Sequence, residues 1–156
     1  MSSHFDSAGN AHLVNVTAKA ITTRTAIASG VVTMQAETAT VIRDAAVAKG
    51  DVLGVARIAA IQATKLTQQL IPLCHAIPIE AASIRFDWPQ PCQLRCIAEV
   101  QTTAKTGVEM EALTAVSVAC LTIYDMVKSI DRGLVIGPIR LEQKSGGRSG
   151  TYSRDD

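Results

Sequence analysis

Apolar residues recur at two different spacings along the chain, and the changes of spacing mark its elements. Residues 22–33 (TTRTAIASGVVT) are rich in Thr, Val and Ile and read as a strand, with Gly30 as the place for a bulge. Residues 37–48 (ETATVIRDAAVA) read as a short helix. Lys49 and Gly50 break the chain, and Asp51 is placed to cap a second helix over 52–66 (VLGVARIAAIQATKL). Residues 70–79 (LIPLCHAIPI) are apolar almost throughout, yet Pro72 and Pro78 keep them out of a helix. Two strand-like runs follow, 77–88 and 92–103, and the Pro89-Gln90-Pro91 turn between them predicts an antiparallel pair. Residues 106–130 are the strongest helical stretch, rich in Ala and Leu, with Gly133 just past its end as a C-terminal cap. Residues 134–144 (LVIGPIRLEQK) read as a last strand.

The order is strand, helix pair, strand, strand, helix, strand. That predicts an α+β chain of the ferredoxin-like β-α-β-β-α-β plan, an antiparallel sheet with its helices on one face. The strands carry apolar residues at both parities, so the opposite face is expected to meet another subunit. We read residues 1–156 as one domain, with polar stretches 1–12 and 146–156 loosely held.

Composition narrows the partners. Hydrophobic residues are 47% and charged residues 19%, as in a globular chain. Aromatic residues are 3%, so the core is built from Ala, Val, Ile and Leu. Phe5, Phe86, Trp88, Tyr124 and Tyr152 are too few for a surface that stacks bases, which argues against nucleic acid as partner. The net charge is +1 with no block of one sign, which argues against a general DNA or membrane surface. No apolar run reads as long enough to span a membrane, and the first twenty residues lack the pattern of a signal peptide. We expect a cytoplasmic protein whose four cysteines, Cys74, Cys92, Cys96 and Cys120, are reduced. Cys92 and Cys96 are not a metal pair if both lie on one strand, because four residues then span roughly 13 Å. No spacing of a metal site appears.

Several polar residues could carry chemistry. His75 stands in the apolar loop beside Cys74; neighbours in an extended loop point opposite ways, so His75 reads as a donor to a ligand and Cys74 as packing. Thr106 and Glu109 fit a capping box at the helix start, and Glu111 reads as a solvated acid favoured by the helix dipole or as a ligand-holding carboxylate. Asp125 and Lys128 are i,i+3 neighbours, but an acid near a helix C-terminus is disfavoured by roughly 0.3–1 kcal/mol, a hint that it has a task. Glu111 and Asp125 share a helix face within about 40° but lie roughly 21 Å apart along the axis. One compact pocket could hardly use both from one chain: either they serve separate subsites or two chains each supply one end, the second being the economical arrangement. The KSGGRSG stretch, 144–150, exposes backbone N–H groups beside Lys144 and Arg148 and could cradle a phosphate or be a flexible basic tail.

Taken together, LIPLCH, KTGVEMEALTA, CLTIYDMVKSID, VIGPIRL and KSGGRSG resemble the cyclic pyranopterin monophosphate synthase family of molybdenum cofactor biosynthesis. The likeness runs from about His12 to Gly150. It implies the ferredoxin-like fold and a homohexamer, a trimer of dimers, with interfacial sites. It implies a lyase that converts 3′,8-cyclo-7,8-dihydroguanosine 5′-triphosphate to cyclic pyranopterin monophosphate and pyrophosphate. Family substrate-binding motifs fall on Leu73, Cys74, His75, Met110 and Glu111, with Glu109 and Lys144 placed beside them. The catalytic acid falls on Asp125 and the functional lysines on Lys49, Lys128 and Lys144. Two positions depart from the family: Ala76 stands where Pro is usual, and Asn15 where an acid is usual.

The reaction implied has no redox step and calls for no cofactor, although magnesium can accompany the triphosphate. Asp125 and Lys128 would be an acid–base pair, and Lys49, Lys128 and Lys144, held close together, would lower one another's pKa while holding phosphates. Glu111 would read the amide and amino edge of the guanine-derived ring. The rival reading is a non-catalytic oligomeric nucleotide-binding scaffold of the same fold.

Overall fold

A computed structural model describes residues 4–155. The elements are β1 (Thr22–Thr33), α1 (Ala36–Arg43), α2 (Val52–Leu70), β2 (Ala81–Gln90), β3 (Gln93–Ala104), α3 (Glu109–Val127), β4 (Val135–Ser145) and β5 (Tyr152–Ser153). The strand order is β2-β3-β1-β4-β5, every neighbouring pair is antiparallel, and β1 lies in the middle. This is the expected ferredoxin-like α+β arrangement with its helices on one face. Within the stretch read as a loose tail, Tyr152 and Ser153 pair with Lys144 and Gln143. Of the loosely read start, residues 1–3 lie outside the described residues, while Asp6 closes a turn by accepting from the backbone N–H groups of Ala8 and Asn10.

Alternation decides which strand face meets the helices. Ala26, Ala28 and Val32 on β1, and Leu94, Cys96, Ala98 and Val100 on β3, are fully buried. Gly30 belongs to the same face. A Cβ there would come 2.9 Å from Cys120 Sγ and 3.4 Å from Val116 Cβ on α3, so the missing side chain lets helix and sheet approach. The expected irregularity is present on β1, where the register against β4 shifts between Ile27 and Ala28 and again between Gly30 and Val32. The opposite face is mixed. Ile27, Val31 and Ile97 alternate in space with an Arg95–Asp87 pair (2.7 Å) and an Arg140–Glu142 pair (2.9 Å), and Ser29 Oγ donates to Glu142.

Helix α2 starts as expected, with the Asp51 carboxylate accepting from Gly54 N–H at 2.9 Å. It runs four residues past the expected end at Leu66, because nothing breaks the chain before Pro72. It buries Ala56, Ala60 and Ala63, and α3 buries Ala112, Ala115 and Ala119; such small residues let packed helices come close. Against the expectation that no run could span a membrane, α3 is long and apolar enough by length and composition. It is 56% buried, lying between α2 and the sheet, which accounts for its apolar character.

Both expected caps of α3 are corrected. Its N-cap is Val108, with no side-chain cap, so Thr106 and Glu109 form no capping box. It ends at Val127, well before Gly133. Instead Asp131, 2% exposed, accepts from Gly133 N–H (2.9 Å), Gln35 N–H (2.9 Å) and Thr38 Oγ1 (3.4 Å). It thereby caps α1 from a distance and ties the start of α1 to the loop after α3.

Cys92 lies in the turn before β3, where its carbonyl accepts from Met34 N–H, so it does not share a strand with Cys96. All four cysteines are free. Burial pushes the thiols of Cys96 and Cys120 up to about 12, as suits packing groups; Cys74 and Cys92 are only half-buried.

Candidate active site

Helix α3 carries expected site residues at both ends. At its N-terminus a cavity of about 380 Å³ is lined by Leu73, Cys74, His75, Glu109, Met110 and Glu111. Every expected substrate-binding residue except Lys144 therefore lines one pocket, and Lys144 reaches it from β4 by donating to Glu109 Oε1 at 3.0 Å. The proline-bearing 70–79 loop ends where Glu80 N–H joins Gln101 O on β3, and its Leu73–His75 stretch lines the same cavity as the start of α3. Cys74 and His75 both line the cavity, contrary to the expectation that one would turn away.

The pocket is acidic at its floor, and the two glutamates differ. Glu109 has Lys144 as its partner and folds back over Gly107, where any Cβ would collide with its carboxylate. Glu111 is 3% exposed rather than solvated. Burial raises its pKa to about 7, with the charge of Glu109 adding to the rise. The Cys74 thiol is likewise raised, by burial first and then by Glu111 and Glu109, so it stays protonated and a poor nucleophile. His75 Nε2 lies 2.7 Å from Val14 O. A carbonyl only accepts, so that nitrogen carries the hydrogen.

At the other end of α3, Asp125 Oδ1 meets Lys128 Nζ at 2.7 Å. Lys49, from the turn before α2, donates to the Asp125 backbone carbonyl at 2.7 Å and lies 3.7 Å from Oδ2. Two cations at a helix C-terminus offset the unfavourable placing of the acid. The Lys128 hydrogen bond and charge, then Lys49, hold the Asp125 carboxyl below its ordinary range. Lys128 is pushed up by Asp125, opposite to the lowering that crowded lysines would give. Lys144 sits at the far end of α3, so one chain does not bring the three lysines together.

The placing of Val14, Val16 and Lys19 at the pocket, and of Arg24 beside the glycine-rich stretch, escapes a reading of the sequence alone. Val14, Val16 and Lys19 from the segment before β1 line its rim; the only local signal is the Val14/Val16 alternation in a polar stretch. Lys19 also lines an adjoining cleft of about 740 Å³ with Thr22, Arg24, Gly147 and Arg148. That cleft has three cations and no acid among its lining residues, and the KSGGRSG stretch forms one side.

Residues 13–147 match the family model described as the MoaC family. A cyclic pyranopterin monophosphate synthase of Rhodopirellula baltica is 55% identical over 164 residues, covering 99% of this chain and 94% of that protein. A protein of the same name from Desulfitobacterium hafniense is 54% identical over 153 residues, covering 98% and 94%. Likeness of this extent reaches both ends of α3, the loop at 70–79 and the glycine-rich stretch after β4, and on it the chain belongs to the MoaC family.

Proposed function

We propose that this chain is a cyclic pyranopterin monophosphate synthase, a lyase of molybdenum cofactor biosynthesis acting on 3′,8-cyclo-7,8-dihydroguanosine 5′-triphosphate. The observation that carries the reading is the sorting of polar residues on a family-matched chain: ring-reading groups at one end of α3, an acid with two lysines at the other. In the pocket, the Glu111 carboxyl, which burial pushes up to about 7, presents in its protonated form one O–H donor and one carbonyl acceptor, the complement of a lactam edge. Glu109, held by Lys144, accepts from the neighbouring amino group. Met110 and Leu73 cover the ring, and Cys74 supplies a neutral wall. The basic cleft beside the pocket suits the triphosphate, with Lys19, Arg24 and Arg148 as its cations and Lys144 next to them, donating to the cleft's Ser149.

The five-membered ring of the purine opens and rearranges to a pterin, a ribose-derived hydroxyl closes on the α-phosphate, and pyrophosphate leaves. No electrons are exchanged, so the reaction takes no redox cofactor. Proton transfers dominate it. Asp125, kept ionised, accepts a proton; Lys128 returns one; Lys49 fixes Asp125 and stabilises developing negative charge. Since the acid lies at the far end of α3 from the ring pocket, the complete site takes the Glu111 end of one chain and the Asp125 end of another. We place it in a cytoplasmic homohexamer built as a trimer of dimers. Ala76 and Asn15 lie near the pocket's His75 and Val14 and leave the named groups intact.

The test is turnover of the cyclic dihydroguanosine triphosphate, followed by pterin fluorescence and pyrophosphate release. Asp125→Asn should lose at least about a hundredfold in kcat while melting like the unaltered protein. A well-folded unaltered protein that binds the triphosphate and releases no product would leave the nucleotide-binding scaffold as the reading.

A further inference from the structure

One wall of the ring pocket belongs to no helix or strand. Residues 13–19 run along it, irregular over 13–16 and turning over 17–19, with Val14 and Val16 half-buried against the pocket and Leu13, Asn15, Thr17 and Lys19 exposed. The run folds on itself through Thr17 N–H to Asn15 Oδ1 (2.8 Å) and Lys19 N–H to Val16 O (3.0 Å). Two side chains fasten it to the body: His75 Nε2 donates to Val14 O at 2.7 Å, and Lys105 Nζ donates to Thr17 O at 2.8 Å.

The fasteners are unequal. His75 lines the pocket, so a ligand atom that takes its Nε2 hydrogen must displace Val14 O. Lys105 is not among the lining residues, and its backbone is a fixed post: Arg24 donates from Nε to Ala104 O (3.1 Å) and from Nη2 to Lys105 O (3.3 Å). We infer that residues 13–19 are a hinged wall of the ring pocket, and that Lys105 is the positioning residue that keeps this wall tethered when substrate claims His75. The inference rests on the assignment of this pocket to the substrate's ring. With the tether, the wall closes again over the bound ring with Val14 and Val16 inward; without it, the opened run drifts into solvent and the ring loses one side of its enclosure.

Trypsin cleavage after Lys19, followed by mass spectrometry, reads how often the run comes free. In Lys105→Met, which keeps the stem and removes the charge, cleavage at Lys19 should be at least about threefold faster, with the melting temperature unchanged. Lys105→Arg should restore protection, and His75→Ala should also speed cleavage. For the cyclic dihydroguanosine triphosphate, Lys105→Met should raise KM about fivefold and leave kcat within about twofold. Unchanged cleavage at Lys19 in Lys105→Met overturns the tether. Faster cleavage with an unchanged KM overturns its role in the site. The protease arm needs no turnover, so an unaltered protein that makes no product counts against the proposed function while the cleavage rates still decide the tether.

Discussion

Two glutamates two residues apart show how far partners set the behaviour of a residue. Glu109 has a lysine at 3.0 Å, whereas no ion pair forms to Glu111 among the described residues and burial lifts its pKa from 4.5 to about 7. The sign of the consequence follows. Below pH 4.5 folded and unfolded chains both hold the proton; between about 4.5 and 7 only the folded chain keeps it, so this group's burial costs nothing at low pH and progressively more as pH rises. Stability should therefore fall across that window, the Glu111 share being about 1–3 kcal/mol. Glu111→Gln is neutral at every pH and should shrink the difference between urea stabilities at pH 5 and pH 8 by that amount; an unaltered difference would mean Glu111 is ionised in the fold. From the sequence Glu109 reads as the structural cap and Glu111 as a solvated charge or a ligand-holding carboxylate, and neither the cap nor the solvation is found. The reason is that Lys144, on β4, and the 70–79 loop are remote in sequence, and both decide the matter.

Between elements, the tightest constraint is the approach of α3 to β1 at Gly30. Gly30→Ala places a methyl group 2.9 Å from Cys120 Sγ and should cost about 1–3 kcal/mol in thermal or urea unfolding. Cys120→Ala alone leaves a small void, but together with Gly30→Ala it makes room, so the pair should cost about 1 kcal/mol less than the sum of the single changes. Simple additivity would place the strain elsewhere. The bulge at Gly30, the order of elements along the chain and the β2–β3 hairpin were legible because alternation and turn chemistry are local signals. The end of α3 was not, because Asp131 caps another helix, and neither Gln35 nor Thr38 is near it in sequence. The site was legible in the same uneven way. LCH, ME and YDMVK stand out as short motifs, while Val14, Val16, Lys19, Arg24 and Lys105 reach their positions only through long-range contacts.

For the whole molecule, the distance along α3 is the governing fact. If the ring pocket of one chain works with the acid–lysine cluster of another, two separately inactive variants can repair each other. Asp125→Asn and Glu111→Ala, unfolded together and refolded as a mixture, should regain up to about a quarter of the unaltered turnover, because a random pair of chains brings two intact halves together in that share of sites. No recovery, in mixed assemblies verified by mass, would put both ends of α3 into separate tasks. The sheet order carries another consequence, one of time rather than of chemistry. β1 is the first strand made, yet it lies in the middle, and its partners are the third and fourth strands: Thr22 waits for Ala104, and Thr25 for Ser145. A ribosome must deliver most of the chain before either seam can close, and each closure gathers a long stretch of loose chain. Until then β1 exposes two unsatisfied edges, and α2 can offer it no strand partner. Folding should be slow for a chain of this size, and the interval before β3 emerges is when it is most open to mispairing with its own kind.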